Sequence, residues 1–329
     1  MDSDTVIEKF EKQFGEIYHV PYVLAVNSGS AALMAAILAL GISRKKTIIV
    51  PAYCWPQIAS VPSTLGYTIR YVDIDSDGKI SIPHLIKAMG ASVGAILVCH
   101  LFGNPVSVSA IQDIADDASI PLIEDCSQAL FAADRGRFVG KWGTFGFCST
   151  GRNKPLSTGE GGLLWTNSPR LFAQAYSLTQ HNERKAPSWL QVRTLFSSIS
   201  LRMHPCAAEK GVRQLKRLRE KLCERSAQHE RIRAILRDHN EFKLPRVALH
   251  SKAMWYHCPV LLERRQREVF SPFLWKHCAS YALCPTDDFP QAKWFSNKAC
   301  FFDVPHVQEK ELLRVIKNSC MPPIGQTCS

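Results

Sequence analysis

Apolar residues along the first half of the chain fall into two alternating patterns. Short runs rich in valine and isoleucine are typical of buried strands, and longer stretches with apolar residues three or four positions apart are typical of helices. From about residue 20 to residue 165 the two patterns alternate, which predicts an α/β fold: a mostly parallel sheet flanked by helices. The predicted helices are Ser30–Leu40, Pro56–Leu65, Ile82–Met89, Val108–Ala115 and Pro169–Leu178. The predicted strands are Thr47–Val50, Ile69–Val72, Gly94–Cys99 and Pro121–Glu124, with two more that end near Cys148 and start near Gly162.

The second half of the chain has a different pattern. The segment Asn182–Arg202 has no clear periodicity and predicts a long irregular loop. A long amphipathic helix is predicted between Glu209 and Asp238, because apolar residues recur there at helical spacing. The remaining predicted elements are a strand near Met254–Leu262, a helix near Gln266–His277 and a terminal helix near Glu309–Asn318. We therefore expect a large α/β domain over residues 1–205, and the long helix with a smaller C-terminal α+β domain over residues 206–329.

The composition fits a globular protein and argues against a membrane-spanning, secreted or metal-binding one. Hydrophobic residues make up 46% of the chain and charged residues 21%, which is ordinary for a folded domain. No apolar stretch approaches the roughly 20 residues that span a bilayer, and no secretory signal is visible, so we expect a cytoplasmic protein. The 12 cysteines are scattered, and Cys99, Cys126 and Cys148 adjoin predicted buried strands. Because no C-x-x-C pair occurs, we expect reduced thiols and no metal site.

The formal net charge of +11 is concentrated partly in the long helix. Between Glu209 and Asp238 there are ten basic and five acidic residues, a net of +5. A solvated basic face is the simplest interpretation, and attraction for anionic small molecules fits equally well. No recognition motif accompanies the charge, so nucleic acid is not the expected partner.

Lys154 is the most informative candidate residue. It lies in a loop of small, hydroxyl-bearing and glycine residues between Ser149 and Gly162, directly after a predicted strand. A partly buried lysine can lose its proton and form a Schiff base with a carbonyl compound. The alternative is an ordinary exposed lysine in a glycine-rich turn.

Four other features follow predicted strands and have two interpretations each. The turn Asn27–Ala32 opens a helix and could bind a phosphate or simply cap the helix. Asp125 could pair with a pyridinium nitrogen or cap the next helix. Trp55 could stack on an aromatic cofactor or fill the core. Ser149 could bond a phosphate oxygen or cap its own turn.

Along the chain these features follow one another as phosphate turn, aromatic residue, strand-end aspartate, and then serine and lysine five residues apart. In that order they resemble the DegT/DnrJ/EryC1/StrS family of sugar aminotransferases, fold type I enzymes that use pyridoxal phosphate. The resemblance runs from about Glu8 to the C-terminus. The segments that match best are Asn27–Leu33, His100–Pro105, Glu124–Gln128 and Lys154–Gly162, in which the lysine precedes Gly-Glu-Gly-Gly by five residues.

The resemblance implies a role for each matching residue. Lys154 would carry the cofactor, Asp125 would pair with its pyridine nitrogen, Gln128 would lie near its phenolic oxygen and Trp55 would stack on its ring. The phosphate would be held by Gly29, Ser30 and Ser149. The implied activity is transfer of an amino group from an amino acid such as glutamate or glutamine to a keto-sugar, by a homodimer.

The sequence also departs from the family pattern. Ser200 stands where the family usually has an asparagine that reaches the phosphate of a neighbouring subunit, and Thr150 replaces an aromatic residue. The chain begins late relative to most members. These departures leave two alternatives open: a pyridoxal-phosphate enzyme with another substrate or with elimination chemistry, and a binding protein without catalysis.

Overall fold

A seven-stranded sheet forms the centre of the computed structural model, which describes residues 3–180, 199–240, 242–263, 274–277, 281, 288–302 and 309–319. Its strands are β1 (Tyr22–Val26), β2 (Thr47–Pro51), β3 (Thr68–Val72), β4 (Val93–Cys99), β5 (Leu122–Asp125), β8 (Phe145–Ser149) and β9 (Gly162–Thr166). The short strands β6 (Ala133–Asp134) and β7 (Arg137–Phe138) belong to a second sheet with β10 (Ser251–Lys252).

The order of the large sheet is β1-β9-β8-β5-β4-β2-β3, and β9 alone runs against the other strands. The pairs β5–β8, β4–β5, β2–β4 and β2–β3 are parallel. The expectation of a mostly parallel sheet is therefore confirmed. Parallel strands end at one common edge, so the loops that follow β1, β2, β4, β5 and β8 meet there.

The helices that connect these strands agree with the sequence pattern to within one or two residues. They are α2 (Gly29–Ala39), α3 (Gln57–Thr64), α4 (Ile82–Ala88), α5 (Val108–Asp117) and α6 (Pro169–Thr179). Helix α2 is apolar on all sides because the sheet, α3 and α6 cover it. The helix begins after Ser28, whose hydroxyl caps it by accepting the Ala31 N–H at 3.0 Å.

The core lies on both faces of the sheet. Successive side chains of a strand point to opposite faces, so Ile48 and Val50 enter one apolar cluster and Ile49 enters the other. In the same way Leu97 belongs to the first cluster and Val98 to the second. Burial on both faces explains why these strands are continuous apolar runs in the sequence.

Helix α1 (Ser3–Tyr18) was not anticipated from the sequence. It covers one face of the sheet through Ile7, Phe10, Phe14 and Tyr18, whose side chains are completely buried. Their spacing of three and four residues is the helical signal that would have predicted it.

The predicted long helix is two helices, α7 (Pro205–Leu215) and α8 (Leu218–Arg237). The helix is interrupted at Arg217, whose φ of −121° and ψ of 11° are not helical. Leu215, Leu218 and Leu222 are buried as the spacing indicates, whereas most of the basic residues face outward.

A three-stranded sheet follows, in the order β11 (Cys258–Leu261), β13 (Ala299–Phe302), β12 (Leu274–His277). The last helices are α9 (Pro290–Lys298) and α10 (Glu309–Ser319). The expectation of a helix near Gln266–His277 is wrong over Leu274–His277, which form a strand because pairing with β13 overrides the local sequence pattern. Residues 266–273 lie outside the described residues.

Two further expectations are met only in part by the described residues. Of the predicted loop Asn182–Arg202, the stretch 182–198 lies outside them, and Leu201 pairs through its backbone with Thr179 and Asn27. No helix among the described residues is long and apolar enough to cross a membrane. The division at residue 205 stays a prediction.

Candidate active site

A cavity of about 420 Å³ lies at the edge where the parallel strands end. It brings together every cofactor residue named from the sequence, although they come from four separate loops, those that follow β1, β2, β5 and β8. These residues are Gly29, Ser30, Trp55, Asp125, Gln128, Ser149 and Lys154.

The start of α2 and the end of β8 form a tight backbone cradle. A Cβ atom at Gly29 would lie 2.8 Å from the Cβ of Ser149 and 3.1 Å from its Cα, so only glycine fits there. Ser28 caps the helix, and helix geometry leaves the N–H groups of Gly29 and Ser30 without intrahelical acceptors. Positive helix potential and free N–H donors together suit an anion such as a phosphate.

Ser149 is held in place at the other side of this cradle. Its N–H donates to the Ser127 hydroxyl at 2.9 Å, and its own hydroxyl accepts the Gly151 N–H at 3.2 Å. The hydroxyl therefore caps its turn, as one interpretation of the sequence has it. Its proton remains available as a donor toward the cavity.

Lys154 is half-buried and lies on the loop between β8 and β9. Its N–H donates to the Gly151 carbonyl at 3.0 Å, and its Nζ lies 5.6 Å from the centre of the Trp55 ring. The amine thus lies inside a cavity beside an aromatic face and not on an exposed turn. Trp55 is 37% exposed and lines the cavity, so the alternative of a core tryptophan is wrong.

Thr150, which replaces the family's aromatic residue, fixes the base of the same loop. Its side chain is fully buried, and its Oγ1 lies 2.7 Å from the Oγ1 of Thr158. Its N–H also donates to the Gly161 carbonyl at 2.8 Å. These bonds hold the two ends of the loop together around Lys154.

Asp125 ends β5 and does not cap a helix. One carboxylate oxygen accepts the Ser127 N–H at 2.8 Å. The residues that follow form a turn and not the helix that the alternative interpretation of Asp125 required. The carboxyl group lines the cavity. Gln128, in the same turn, accepts the Phe102 N–H on its Oε1 at 2.7 Å, so its NH₂ group is left to donate elsewhere.

A buried pair, His100 and Glu124, adjoins the cavity, which His100 lines, and this pair was not predicted from the sequence. The His100 Nε2 lies 3.1 Å from a Glu124 carboxylate oxygen, and its Nδ1 accepts the Val106 N–H at 3.3 Å. A ring nitrogen that accepts carries no proton, so Nε2 is the donor. The Glu124 carboxylate also accepts the N–H groups of Gly140, Trp142 and Gly143 at 2.6–2.8 Å.

The last part of the chain contributes Tyr256, His257 and Tyr281 to the cavity wall. The Tyr281 ring lies 5.4 Å from that of Trp55, and the His257 ring stacks on Phe301 at 4.4 Å. These residues were also missed, because no local motif marks them. The aromatic run Trp255-Tyr256-His257 before β11 could have drawn attention to two of them, but Tyr281 lies outside that run.

Cys99 also lines the cavity, but its burial disfavours the reactive thiolate form. Burial and the neighbouring Cys54 thiol raise the pKa of Cys99 well above its usual value, so the thiol stays protonated at neutral pH. Since the thiolate is the reactive form, Lys154 is the stronger nucleophile candidate in this cavity.

The fold is that of the fold type I pyridoxal-phosphate enzymes: a mostly parallel sheet flanked by helices, with a lysine, a strand-end aspartate and a helix N-terminus around one cavity at its edge. The chain belongs to the DegT/DnrJ/EryC1/StrS aminotransferase family, whose model matches residues 2–282.

Curated relatives match about half of the chain. GDP-perosamine synthase of Escherichia coli O157:H7 is 34% identical over 167 residues, which are 50% of this chain and 46% of that protein. The L-glutamine:2-deoxy-scyllo-inosose aminotransferase of Micromonospora echinospora is 32% identical over 180 residues, 54% of this chain and 43% of that protein. The matched region thus spans less than half of each of these two relatives.

Solved structures match almost the whole chain. An aminotransferase from Psychrobacter cryohalolentis has a TM-score of 0.84 at 24% identity and covers 96% of this chain and 91% of its own. S. venezuelae DesV, solved in complex with a ketimine intermediate, has a TM-score of 0.82 at 25% identity, covering 95% and 88%. These similarities confirm the predicted fold.

Proposed function

We propose that this protein is a pyridoxal-phosphate-dependent aminotransferase that moves an amino group from an amino acid, such as glutamate or glutamine, to a keto-sugar. The observation that carries the proposal is the convergence of Lys154, Asp125 and the Gly29–Ser149 cradle on one cavity. The names of the relatives, a perosamine synthase and an inosose aminotransferase among them, support a sugar or cyclitol acceptor.

The residues present fit the cofactor. The start of α2 directs the N–H groups of Gly29 and Ser30 toward a phosphate beside Ser149, and the partly exposed Trp55 ring lines the same cavity. The half-buried Asp125 carboxylate, which lines the cavity, offers a partner for a protonated ring nitrogen. When bound, pyridoxal phosphate supplies an electrophilic aldehyde and a ring that accepts electron density.

Each residue then has a defined task. Lys154 Nζ would be the attachment point of the cofactor, and its free amine would accept and return a proton at the substrate carbon. Asp125 would keep the ring nitrogen protonated, and the Gln128 NH₂ group would donate to the phenolic oxygen. Trp55 would cover one ring face and limit the access of water.

The assembly and the location are part of the proposal. A homodimer agrees with the family resemblance and with the prevalence of two-fold assemblies. A cytoplasmic location is supported by the cysteines of the described residues, which are free thiols.

A titration with amino donors tests the proposed activity. The cofactor-loaded protein should release one equivalent of 2-oxo acid from glutamate or glutamine without an acceptor, and turnover should require a keto-sugar. Failure to release oxo acid from any of a panel of amino donors would favour elimination chemistry and contradict amino transfer.

A further inference from the structure

A second cavity, of about 450 Å³, lies between the C-terminal half of α8 and the segment that follows it. It shares no lining residue with the candidate active site. Its lining combines arginines with an apolar side and consists of Glu230, Arg233, Arg237, Phe242, Leu244, Arg246 and Val247.

The innermost of these residues is Arg233, a buried guanidinium whose hydrogen-bonding groups are only partly used. The residue is 4% exposed. Its Nη2 donates to the Pro245 carbonyl at 2.8 Å, and one face of the group lies 4.0 Å from the centre of the Trp255 ring. Within the part of the chain that the structure describes, Nε and Nη1 have no hydrogen-bond partner. Buried donors without acceptors are rare and costly, so they indicate that an acceptor belongs there.

The carboxylate in the cavity lining, Glu230, does not accept a hydrogen bond from the Nε of Arg233. Glu230 lies 3.9 Å from the Arg233 Nε, beyond hydrogen-bond distance, and also receives the indole N–H of Trp255. Its other oxygen lies 3.9 Å from Arg237. Thus neither arginine makes a close ion pair with Glu230.

The charge balance of the cavity is positive. Arg246 pairs with Asp77 at 3.2 Å, so the three guanidinium groups are opposed by two carboxylates, a net of +1. Arg237 and Arg246 are more than half exposed and stand at the rim above buried Arg233.

We propose that this cavity binds the phosphoryl group of a small phosphorylated molecule, at a site separate from the active site. Arginines from different directions suit a tetrahedral group, since its oxygens accept in several directions and its charge near neutral pH approaches −2. Phe242, Leu244 and Val247 then contact the less polar part of the ligand. The proposal does not depend on the proposed aminotransferase activity.

Calorimetric titration with inorganic phosphate tests this site. The protein is loaded with pyridoxal phosphate beforehand, so that the Gly29–Ser149 cradle is filled. The wild type should bind phosphate at one saturable site, more tightly than acetate. Arg237→Ala and Arg246→Ala should each weaken binding about tenfold, the loss of one charge-assisted hydrogen bond. Arg233→Lys should weaken phosphate binding similarly. If that variant does not fold, the substitutions at the two exposed arginines still test the proposal.

Arg219→Ala is the matched control. Arg219 is an exposed arginine on the same helix and does not line the cavity, so its loss should leave phosphate affinity unchanged within twofold. The proposal is overturned if the wild type shows no saturable binding, or if acetate binds as tightly as phosphate. Equal weakening by Arg219→Ala and Arg237→Ala would also overturn it, because diffuse charge would then explain the binding.

Discussion

Replacing Glu124 by glutamine should destabilise the protein strongly, although the two side chains have the same shape. Each carboxylate oxygen of Glu124 accepts two hydrogen bonds, one oxygen from Trp142 and Gly143 and the other from His100 and Gly140. The amide of glutamine has one oxygen, so two of the four donors would face an NH₂ group. These donors are buried or partly buried, and one of them, His100, lines the cavity.

The size of the effect follows from those two lost bonds. A hydrogen bond to a charged group contributes about 2 kcal/mol, so we expect Glu124→Gln to lower the free energy of unfolding by about 4 kcal/mol. That is a large part of the 5–15 kcal/mol typical of a folded domain. Cofactor affinity should fall as well, because the strand end that carries Asp125 loses its anchor.

Urea unfolding followed by tryptophan fluorescence and circular dichroism measures this loss. Glu209→Gln is the matched control, because Glu209 makes an exposed ion pair with Arg213 one helical turn away. That pair contributes about 0.5 kcal/mol or less. If Glu124→Gln costs no more than Glu209→Gln, the four-bond arrangement does not stabilise the site and the reasoning is wrong.

Two further substitutions test the cradle and a buried histidine. Gly29→Ala places a methyl group 2.8 Å from the Ser149 Cβ. Overpacking of this kind costs about 2 kcal/mol, so we expect the affinity for the cofactor to fall at least about tenfold. Absorbance titration measures this affinity. Burial and the neighbouring Arg225 lower the pKa of His229 to about 3. Below pH 6.5 the unfolded chain therefore binds a proton that the folded protein does not, and stability falls by about 1.4 kcal/mol per pH unit down to about pH 3. His229→Gln should remove this pH dependence. Between pH 6.5 and pH 5 the free energy of unfolding of this variant, measured by urea unfolding, should therefore fall by about 1.7 kcal/mol less than that of the wild type.

Matched controls separate these effects from general damage. Gly90→Ala meets no atom within 4 Å and should leave cofactor affinity unchanged. His84 is exposed, so His84→Gln should show the wild-type loss of stability between pH 6.5 and pH 5. The cradle argument fails if Gly29→Ala binds cofactor as well as Gly90→Ala does. The histidine argument fails if His229→Gln and His84→Gln lose stability equally over this pH interval.

Local pattern was sufficient to predict most of the large sheet and its helices. The strands β2, β4 and β5 are buried on both faces, and this burial makes them short apolar runs between helical stretches. The candidate cofactor residues follow from the same regularity, since Asp125, Ser149 and the turn before α2 all follow strands whose carboxyl ends meet at one edge.

Other features depend on contacts between distant parts of the chain. The Glu124 carboxylate is satisfied by backbone groups 16 to 19 residues away, which no local pattern encodes. Tyr281 reaches the cavity from near the end of the chain, and Leu274–His277 form a strand only because β13 lies beside them. The interruption between α7 and α8 falls within a continuous apolar spacing, so periodicity could not reveal it.

Borohydride reduction of the cofactor-loaded protein, followed by peptide mass mapping, tests the central claim most directly. We expect one pyridoxyl-phosphate group per chain, attached to the peptide that contains Lys154, and none in the Lys154→Ala variant prepared in the same way. A wild-type protein that carries no label, or that carries it on another lysine, would contradict the assignment of this cavity as a pyridoxal-phosphate site.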